Sequence, residues 1–157
     1  MTAPRSISRS AASVVSAPSI ASSLLTVQTR GTGFVDLTAE TVKFVQDARA
    51  VEGAVTLFVR HTSASLTIQE NADPSVLADL TTALSRLAPD NAGWTHDTEG
   101  PDDMPAHVKT MLTSTSLQIP MLNGKLALGT WQAIYLIEHR RAPHRREIVL
   151  QFIGVVS

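Results

Sequence analysis

Side chains that can bind a phosphate or a metal ion follow directly after an apolar run in the middle of the chain. The run Val55–Val59 predicts a buried strand, and the segment after it, residues 61–74, reads HTSASLTIQENADP. Polar groups at the end of a buried strand are costly unless they are hydrogen-bonded or bind a ligand. The segment is therefore the first candidate site, and its candidate ligands are His61, Thr62, Ser63, Ser65, Glu70 and Asn71.

Two later segments repeat this pattern of few apolar residues and many ligand-type groups. They are residues 96–107, HDTEGPDDMPAH, and residues 129–132, GTWQ, which lead on to Glu138, His139 and Arg140. Each of the three segments has a histidine at the end of a predicted element: His61, His107 and His139. Three neutral imidazoles that leave one position open suit a catalytic Zn²⁺. The alternative is that each histidine is structural and is satisfied by the backbone.

The second segment also carries acidic residues in a loop with glycine and proline. Its carboxylates can hold Mg²⁺ and a bound pyrophosphate; they are Asp97, Glu99, Asp102 and Asp103. The alternative is a solvated connection in which Asp103 caps the next helix. His96 beside Asp97 indicates an acid/base pair, because a carboxylate can orient an imidazole. Adjacent residues of a strand point to opposite faces, however, which argues against that pair.

The remaining polar groups are better suited to binding than to nucleophilic attack. No base and orienting acid are placed around Ser63 or Ser65 as an acyl-transfer triad requires. Hydrogen bonds to phosphate oxygens are a better use of these hydroxyls, with Thr62, Asn71 and the guanidinium of Arg140. Trp131 and Gln132 offer a stacking face and an amide for a heteroaromatic ring, although a tryptophan in a strand is equally typical of a core or an interface.

The elements that must position these groups alternate between strand and helix patterns before a run of strands. Leu25 and Val27 predict a first strand, and Gly53 is expected to end the first helix. Asp73 followed by Pro74 is typical of a helix N-cap. The predicted helices are 38–50, one from residue 74 to before Pro89, and a short one near Asp103; the predicted later strands are 116–120, 125–138 and 146–155.

This order predicts an α+β fold, mainly an antiparallel sheet with two to three helices, in which the last three strands form a meander. Asn123-Gly124 is a tight hairpin turn between the first two of these strands, and Gly129 marks a bulge or bend in the long one. Residues 1–23 are rich in Ser and Ala and predict a disordered or weakly ordered extension, so the domain is expected to span 24–157. A transit peptide is the alternative for the extension.

Composition limits the classes of partner and of chemistry. With a net charge of −1, the chain has no electrostatic reason to bind nucleic acid or an anionic membrane. Without cysteine it has neither disulfides nor thiolates, so a metal must be held by histidine and carboxylate. No apolar run approaches the roughly 20 residues of a membrane helix. We therefore expect a cytoplasmic protein, and the charged fraction of 17% favours surface buried between subunits.

The three segments together resemble the YjbQ family, also called secondary thiamine-phosphate synthase enzymes. The resemblance covers roughly Leu24 to Gly154, with Ala106 and Ala133 as small departures from the family pattern. It implies a compact α+β homotrimer that joins a pyrimidine methyl diphosphate to a thiazole phosphate and releases pyrophosphate. For this chain we expect His96, Asp97 and Glu70 to act in catalysis, and a divalent metal, Zn or Mg, to bind at the three histidines. A metal- or phosphate-ligand-binding protein without turnover and a metal-dependent hydrolase are the alternatives.

Overall fold

A computed structural model of the chain describes residues 6–11, 13–15 and 19–157. Within these residues it has ten strands and three helices. The strands are β1 (Ile7–Arg9), β2 (Ser13–Val15), β3 (Ser19–Gln28), β4 (Gly33–Asp36), β5 (Ala50–Val59), β6 (Ala64–Glu70), β7 (Ser116–Leu122), β8 (Lys125–Leu126), β9 (Gln132–Glu138) and β10 (Arg145–Val156). The helices are α1 (Thr38–Asp47), α2 (Pro74–Leu87) and α3 (Asp103–Leu112).

The larger sheet is antiparallel and has β10 at its centre. Its strand order is β1-β3-β10-β5-β7-β8. The strand β2 pairs with the first half of β3, and β1 pairs with the second half. Alternate residues of β10 are buried, and Ile148, Leu150 and Phe152 are fully enclosed. This alternation is the pattern of a strand with one face on the core.

A second sheet of three strands, β4-β9-β6, carries the polar segments. Every residue of β9 after Gln132 is buried, so both faces of this strand are covered. Ile134 and Leu136 face the common core with Leu66. Ile137 points the other way and lines a small cavity together with Leu84 of α2 and Lys109 of α3. The helices α2 and α3 therefore lie over the outer face of the small sheet, next to the candidate site.

The predicted α+β class with a mainly antiparallel sheet and three helices is confirmed. The predicted meander is wrong, because the last strands belong to different sheets. The strand predicted at 125–138 is interrupted where the Gly129 N–H donates to Oε1 of Gln132, at 2.8 Å, and Gln132 N–H returns to the Gly129 carbonyl. After this turn β9 enters the small sheet, while β10 returns to the centre of the large one.

Local signals placed the helix starts better than the helix ends. Asp73 caps α2 as predicted, since its Oδ1 accepts from the Ser75 N–H at 2.9 Å. The first helix ends at Asp47, and Gly53 lies inside β5 instead of ending that helix. Asp103 is not the cap of α3, because the cap is its neighbour Asp102. No described helix is long and apolar enough to cross a membrane.

The larger sheet extends into the segment predicted as a weakly ordered extension. The strand β3 begins at Ser19, and Ala21 and Ser23 are buried in it, so the boundary predicted at residue 24 falls inside a strand. The strand β1 pairs with β3, and the Arg9 guanidinium contacts Asp47 and lies 5.8 Å from the Phe44 ring centre. The short side chains of β3 are enough to form this strand, because β10 supplies the backbone hydrogen-bond partners. Residues 1–5, 12 and 16–18 of the predicted extension lie outside the described residues.

Candidate functional site

Two histidines and a buried aspartate form the one group of three metal-ligand side chains that converges within the described residues. They are His96, Asp103 and His107, and one ligand atom from each lies within 4.8 Å of the other two. Asp103 and His107 stand four residues apart on α3, which puts them on one face of the helix. His96 comes from the loop before α3, and its Nε2 is 2.7 Å from Asp103 Oδ2, while His107 Nε2 is 3.6 Å from the same oxygen.

Arg140 compensates the charge of this buried carboxylate. Asp103 is 2% exposed, and its Oδ1 accepts from Arg140 Nη1 at 2.5 Å. The same guanidinium donates to the Glu99 carbonyl at 2.7 Å and to Asp102 Oδ2 at 3.3 Å. Gly100, with φ +109°, lets the loop turn tightly around the guanidinium. One oxygen of Asp103 is therefore held by Arg140 and the other faces the two histidines.

The donor set fits a borderline divalent ion such as Zn²⁺ better than Mg²⁺. Two imidazoles and one carboxylate with an open position is a known arrangement of catalytic zinc, whereas Mg²⁺ prefers oxygen ligands. Metal–ligand bonds of about 2.1 Å place tetrahedral ligands roughly 3.4 Å apart, close to the separations here. The His96 and His107 side chains are 47% and 32% exposed, so an ion can reach them from solvent. Asp102 is instead engaged by Arg140 and by the backbone N–H of Arg141.

A cavity of about 240 Å³ lies on the other side of Asp102. Asp102, Lys109, His139 and Arg141 contribute polar side chains to it. His139 is 2% exposed, and its Nε2 lies 2.8 Å from the Ser65 hydroxyl. Burial, with the nearby charge of Lys109, lowers the pKa of His139 to about 4, so its imidazole is neutral at neutral pH.

The predicted histidine trio is not assembled in one chain. His61 Nε2 accepts from the Glu147 backbone N–H at 2.8 Å, and burial lowers the pKa of His61. His139 is hydrogen-bonded to Ser65 inside the fold. Only His107 lies in the converging group, whose second imidazole is His96. His61 and His139 both follow strands, but their side chains have different partners. For His61 the alternative is correct, since the backbone satisfies its imidazole.

Two further predicted contacts are corrected. His96 is oriented by Asp103, not by Asp97, because α3 brings a residue seven positions away to its ring, and Asp97 is exposed. Ser63 is a buried structural partner, since its Oγ accepts from Arg146 Nη2 at 2.9 Å. Arg146 also pairs with the fully buried Glu138 at 2.6 Å. Burial alone would raise the pKa of Glu138, but hydrogen bonds from Arg146 and the Arg140 N–H outweigh it and lower that pKa.

The predicted site residues Glu70, Asn71, Trp131 and Gln132 lie at the opposite end of β9 from His139. Glu70 pairs with Gln132, and Ala64 pairs with Glu138 six residues further along the strand. At about 3.3 Å per residue the two ends are roughly 20 Å apart. Asn71 donates its N–H to the Trp131 carbonyl, and the Trp131 side chain is 64% exposed. Within one chain these residues therefore form a second polar region, which is distant from His96 and His107. Thr62 lies elsewhere, beside His61.

Lys109 is the functional candidate that the sequence interpretation missed. It is 7% exposed on α3, and burial lowers its pKa although Asp102 acts in the opposite direction. A signal was present in the sequence, because Lys109 stands three residues after Ala106 and four after Pro105, both of which are buried. A lysine in phase with the buried face of a helix is unusual, since lysine is almost never buried without a partner.

Comparisons with known proteins show which family the chain belongs to. The sequence model of the family described as UPF0047 protein YjbQ-like matches residues 23–155. A UPF0047 protein of Synechocystis sp. is 48% identical over 134 residues, which cover 85% of this chain and 91% of that protein. The UPF0047 protein YjbQ of Escherichia coli O157:H7 is 41% identical over 131 residues, covering 83% and 95%.

Solved structures give the same result for the fold. The crystal structure of a YjbQ/UPF0047 protein from Clostridium acetobutylicum superimposes with a TM-score of 0.78 at 36% identity, covering 83% of this chain and 98% of that one. A hypothetical protein from Aeropyrum pernix K1 gives a TM-score of 0.79 at 27% identity, covering 85% and 98%. Because the family match spans most of the chain and both sheets, this protein belongs to the YjbQ-like UPF0047 family.

Proposed function

We propose that this chain is a cytoplasmic, metal-dependent enzyme that acts on phosphorylated small molecules, and that its reaction is of the thiamine-phosphate synthase type. The observation that carries the proposal is the group His96–Asp103–His107, with Arg140 bonded to its carboxylate. A metal ion at this group supplies a Lewis acid that neutralises charge on phosphate oxygens. The specific reaction comes from the resemblance to YjbQ-like proteins described above.

The chemistry needs charge neutralisation and positioning more than a nucleophile. The C–O bond of the pyrimidine methyl diphosphate breaks, and its electron pair leaves with pyrophosphate. The thiazole nitrogen then donates its lone pair to the resulting carbocation and forms the C–N bond. Arg140, at the edge of the metal group, can donate hydrogen bonds to the departing pyrophosphate.

A homotrimer is part of the proposal, because one chain separates its polar regions and leaves apolar surface open. The helix α2 has no buried residue, and its last leucine, Leu87, is 66% exposed. Met111 on α3 is 85% exposed, and Trp131 is 64% exposed. Subunit contacts through these surfaces would bury them and can bring Trp131 and Gln132 of one copy beside the metal group of another.

A metal-dependent hydrolase is the second candidate, and the donor set favours it. Two histidines and a carboxylate hold zinc in several hydrolases, where the ion activates water. In this reaction His96 is either a ligand of the ion or an acid or base beside it, but not both. In the second role its hydrogen bond to Asp103 would orient the ring. The two candidates therefore differ in whether both phosphorylated substrates are needed for turnover.

Pyrophosphate release tests the two reactions together. Purified full-length chain is loaded with zinc and supplied with the pyrimidine diphosphate, the thiazole phosphate, or both. A synthase releases pyrophosphate and forms the joined product only with both, whereas a hydrolase releases phosphate from one alone. The exposed histidine pair is tested with His96→Ala and His107→Ala, and His144→Ala outside the group is the matched control. Bound substrate without turnover in any arm would instead indicate a binding protein.

A further inference from the structure

Lys109 lines the cavity beside Asp102 and lies close enough to that carboxylate to feel its charge. The residue is only 7% exposed, and the cavity has a volume of about 240 Å³. No hydrogen bond or ion pair within the described residues engages its Nζ. Lysine is almost never buried to this extent without a partner. The negative charge of Asp102 acts on this ammonium, but no carboxylate is bonded to it, so a bound anion can become its direct partner.

The other charged groups of the cavity already have partners. Asp90 pairs with the Arg141 guanidinium, and Asp102 accepts from Arg140 Nε and from the Arg141 backbone N–H. Each of the two carboxylates is therefore bonded to an arginine, although Arg140 is shared with Asp103 and the charge of Asp102 still acts on Lys109. His139 is neutral. Of the charged side chains that line the cavity, Lys109 is the one that makes no hydrogen bond or ion pair within the described residues.

The rest of the lining suits a small oxyanion. Thr32 and Ser85 contribute hydroxyl groups, and the Arg141 side chain is 63% exposed at the rim, where it can bond a second oxygen. A volume of about 240 Å³ is below the common range of roughly 300–1,000 Å³ for drug-sized ligands. The cavity therefore fits one charged group with a short attached fragment.

We infer that this cavity is an anion-binding site for a phosphate group of a small ligand, with Lys109 as its counter-ion. The site is separate from the metal group and shares with it only the Asp102–Arg140–Asp103 connection. Arg140 bonds Asp102, which lines the cavity, and Asp103, which faces the two histidines, so its guanidinium lies between the two sites. The inference stands on the burial and isolation of Lys109 and does not require a metal ion at His96 and His107.

Inorganic phosphate is the probe, used on full-length protein stripped of metal with EDTA. Its affinity is measured by calorimetry, with acetate in parallel, and each lysine is scored by mass spectrometry after reductive methylation. We expect phosphate to protect Lys109 and not Lys43 or Lys125, and to bind more tightly than acetate because it offers more acceptor oxygens. Equal protection of all three lysines, or tighter binding of acetate, would overturn the phosphate assignment.

Variants separate this site from the metal site. Lys109→Gln should weaken phosphate binding at least tenfold, whereas Lys43→Gln, which removes the same charge from the exposed side of α1, should not. His96→Ala should lose metal and keep phosphate binding, so failure of the metal proposal leaves this one testable. Unchanged phosphate affinity in folded Lys109→Gln would refute the inference. If that variant does not fold, the protection of Lys109 in the unaltered chain decides the question.

Discussion

Replacing Asp103 by asparagine tests whether the converging group is a metal site or only an ion-pair network. The change keeps the shape of the side chain and an oxygen for Arg140, but it removes the negative charge that faces His96 and His107. If the group binds zinc, the variant loses its anionic ligand. We expect its zinc affinity to fall by more than the 10- to 100-fold that loss of a supporting residue typically costs.

The stability of the metal-free protein gives a second, independent magnitude. Asp103 is 2% exposed and accepts a charge-assisted hydrogen bond from Arg140 at 2.5 Å. Hydrogen bonds to charged groups contribute about 1.5–3 kcal/mol, and Arg140 keeps Asp102 and the Glu99 carbonyl as partners in the variant. We therefore expect a loss of about 1.5–3 kcal/mol, or a fall in Tm of about 3–12 °C for a chain of this size.

The neighbouring residue supplies the matched control. Asp102→Asn removes the same charge one position earlier and also weakens bonds from Arg140 and Arg141, but Asp102 faces the cavity and not the histidines. Zinc binding is measured by competition with a chromophoric chelator, and unfolding is followed in EDTA. Asp102→Asn should lose comparable stability and keep its zinc affinity. Equal zinc affinity in Asp103→Asn and Asp102→Asn would refute the metal assignment.

Three further predictions concern stability and assembly. His139 has a pKa of about 4 in the fold against an ordinary 6.5, so the unfolded chain binds more protons between these values. Stability should fall by on the order of 3 kcal/mol as pH drops from 6.5 to 4, and His139→Gln should show a flatter pH dependence in the same unfolding experiment. Arg146→Met should lower the free energy of unfolding in urea by about 3–5 kcal/mol, because it leaves Glu138 buried without its arginine. Arg145→Met, which removes an exposed arginine, should lower it by less than about 1 kcal/mol. Similar losses in the two variants would contradict this reasoning. Sedimentation should give about 50 kDa, three times the chain mass of 16.8 kDa, and a stable monomer in dilute buffer would exclude the homotrimer.

The features that sequence alone determined are those that depend on neighbouring residues. The start of α2 followed from Asp73-Pro74, because a capping oxygen and a fixed proline φ act within three residues. The hairpin at Asn123-Gly124 followed for the same reason, and both residues adopt positive φ there. The α+β class followed from the order of strand and helix patterns, and the three polar segments sufficed to indicate the family.

The features that only the tertiary structure decided depend on which distant segments pair. The turn at Gly129 sends β9 to the small sheet, and this separates Trp131 from His139 by the length of a strand. Sequence spacing could not show that His96 meets Asp103, because that contact needs the loop to fold back onto α3. The spacing of Lys109 from Pro105 and Ala106 puts these residues on one face of α3, but only the packing shows that this face is buried. Residue types state which chemistry is available, but long-range packing fixes which groups share a site, and that packing is set by sheet register and helix docking.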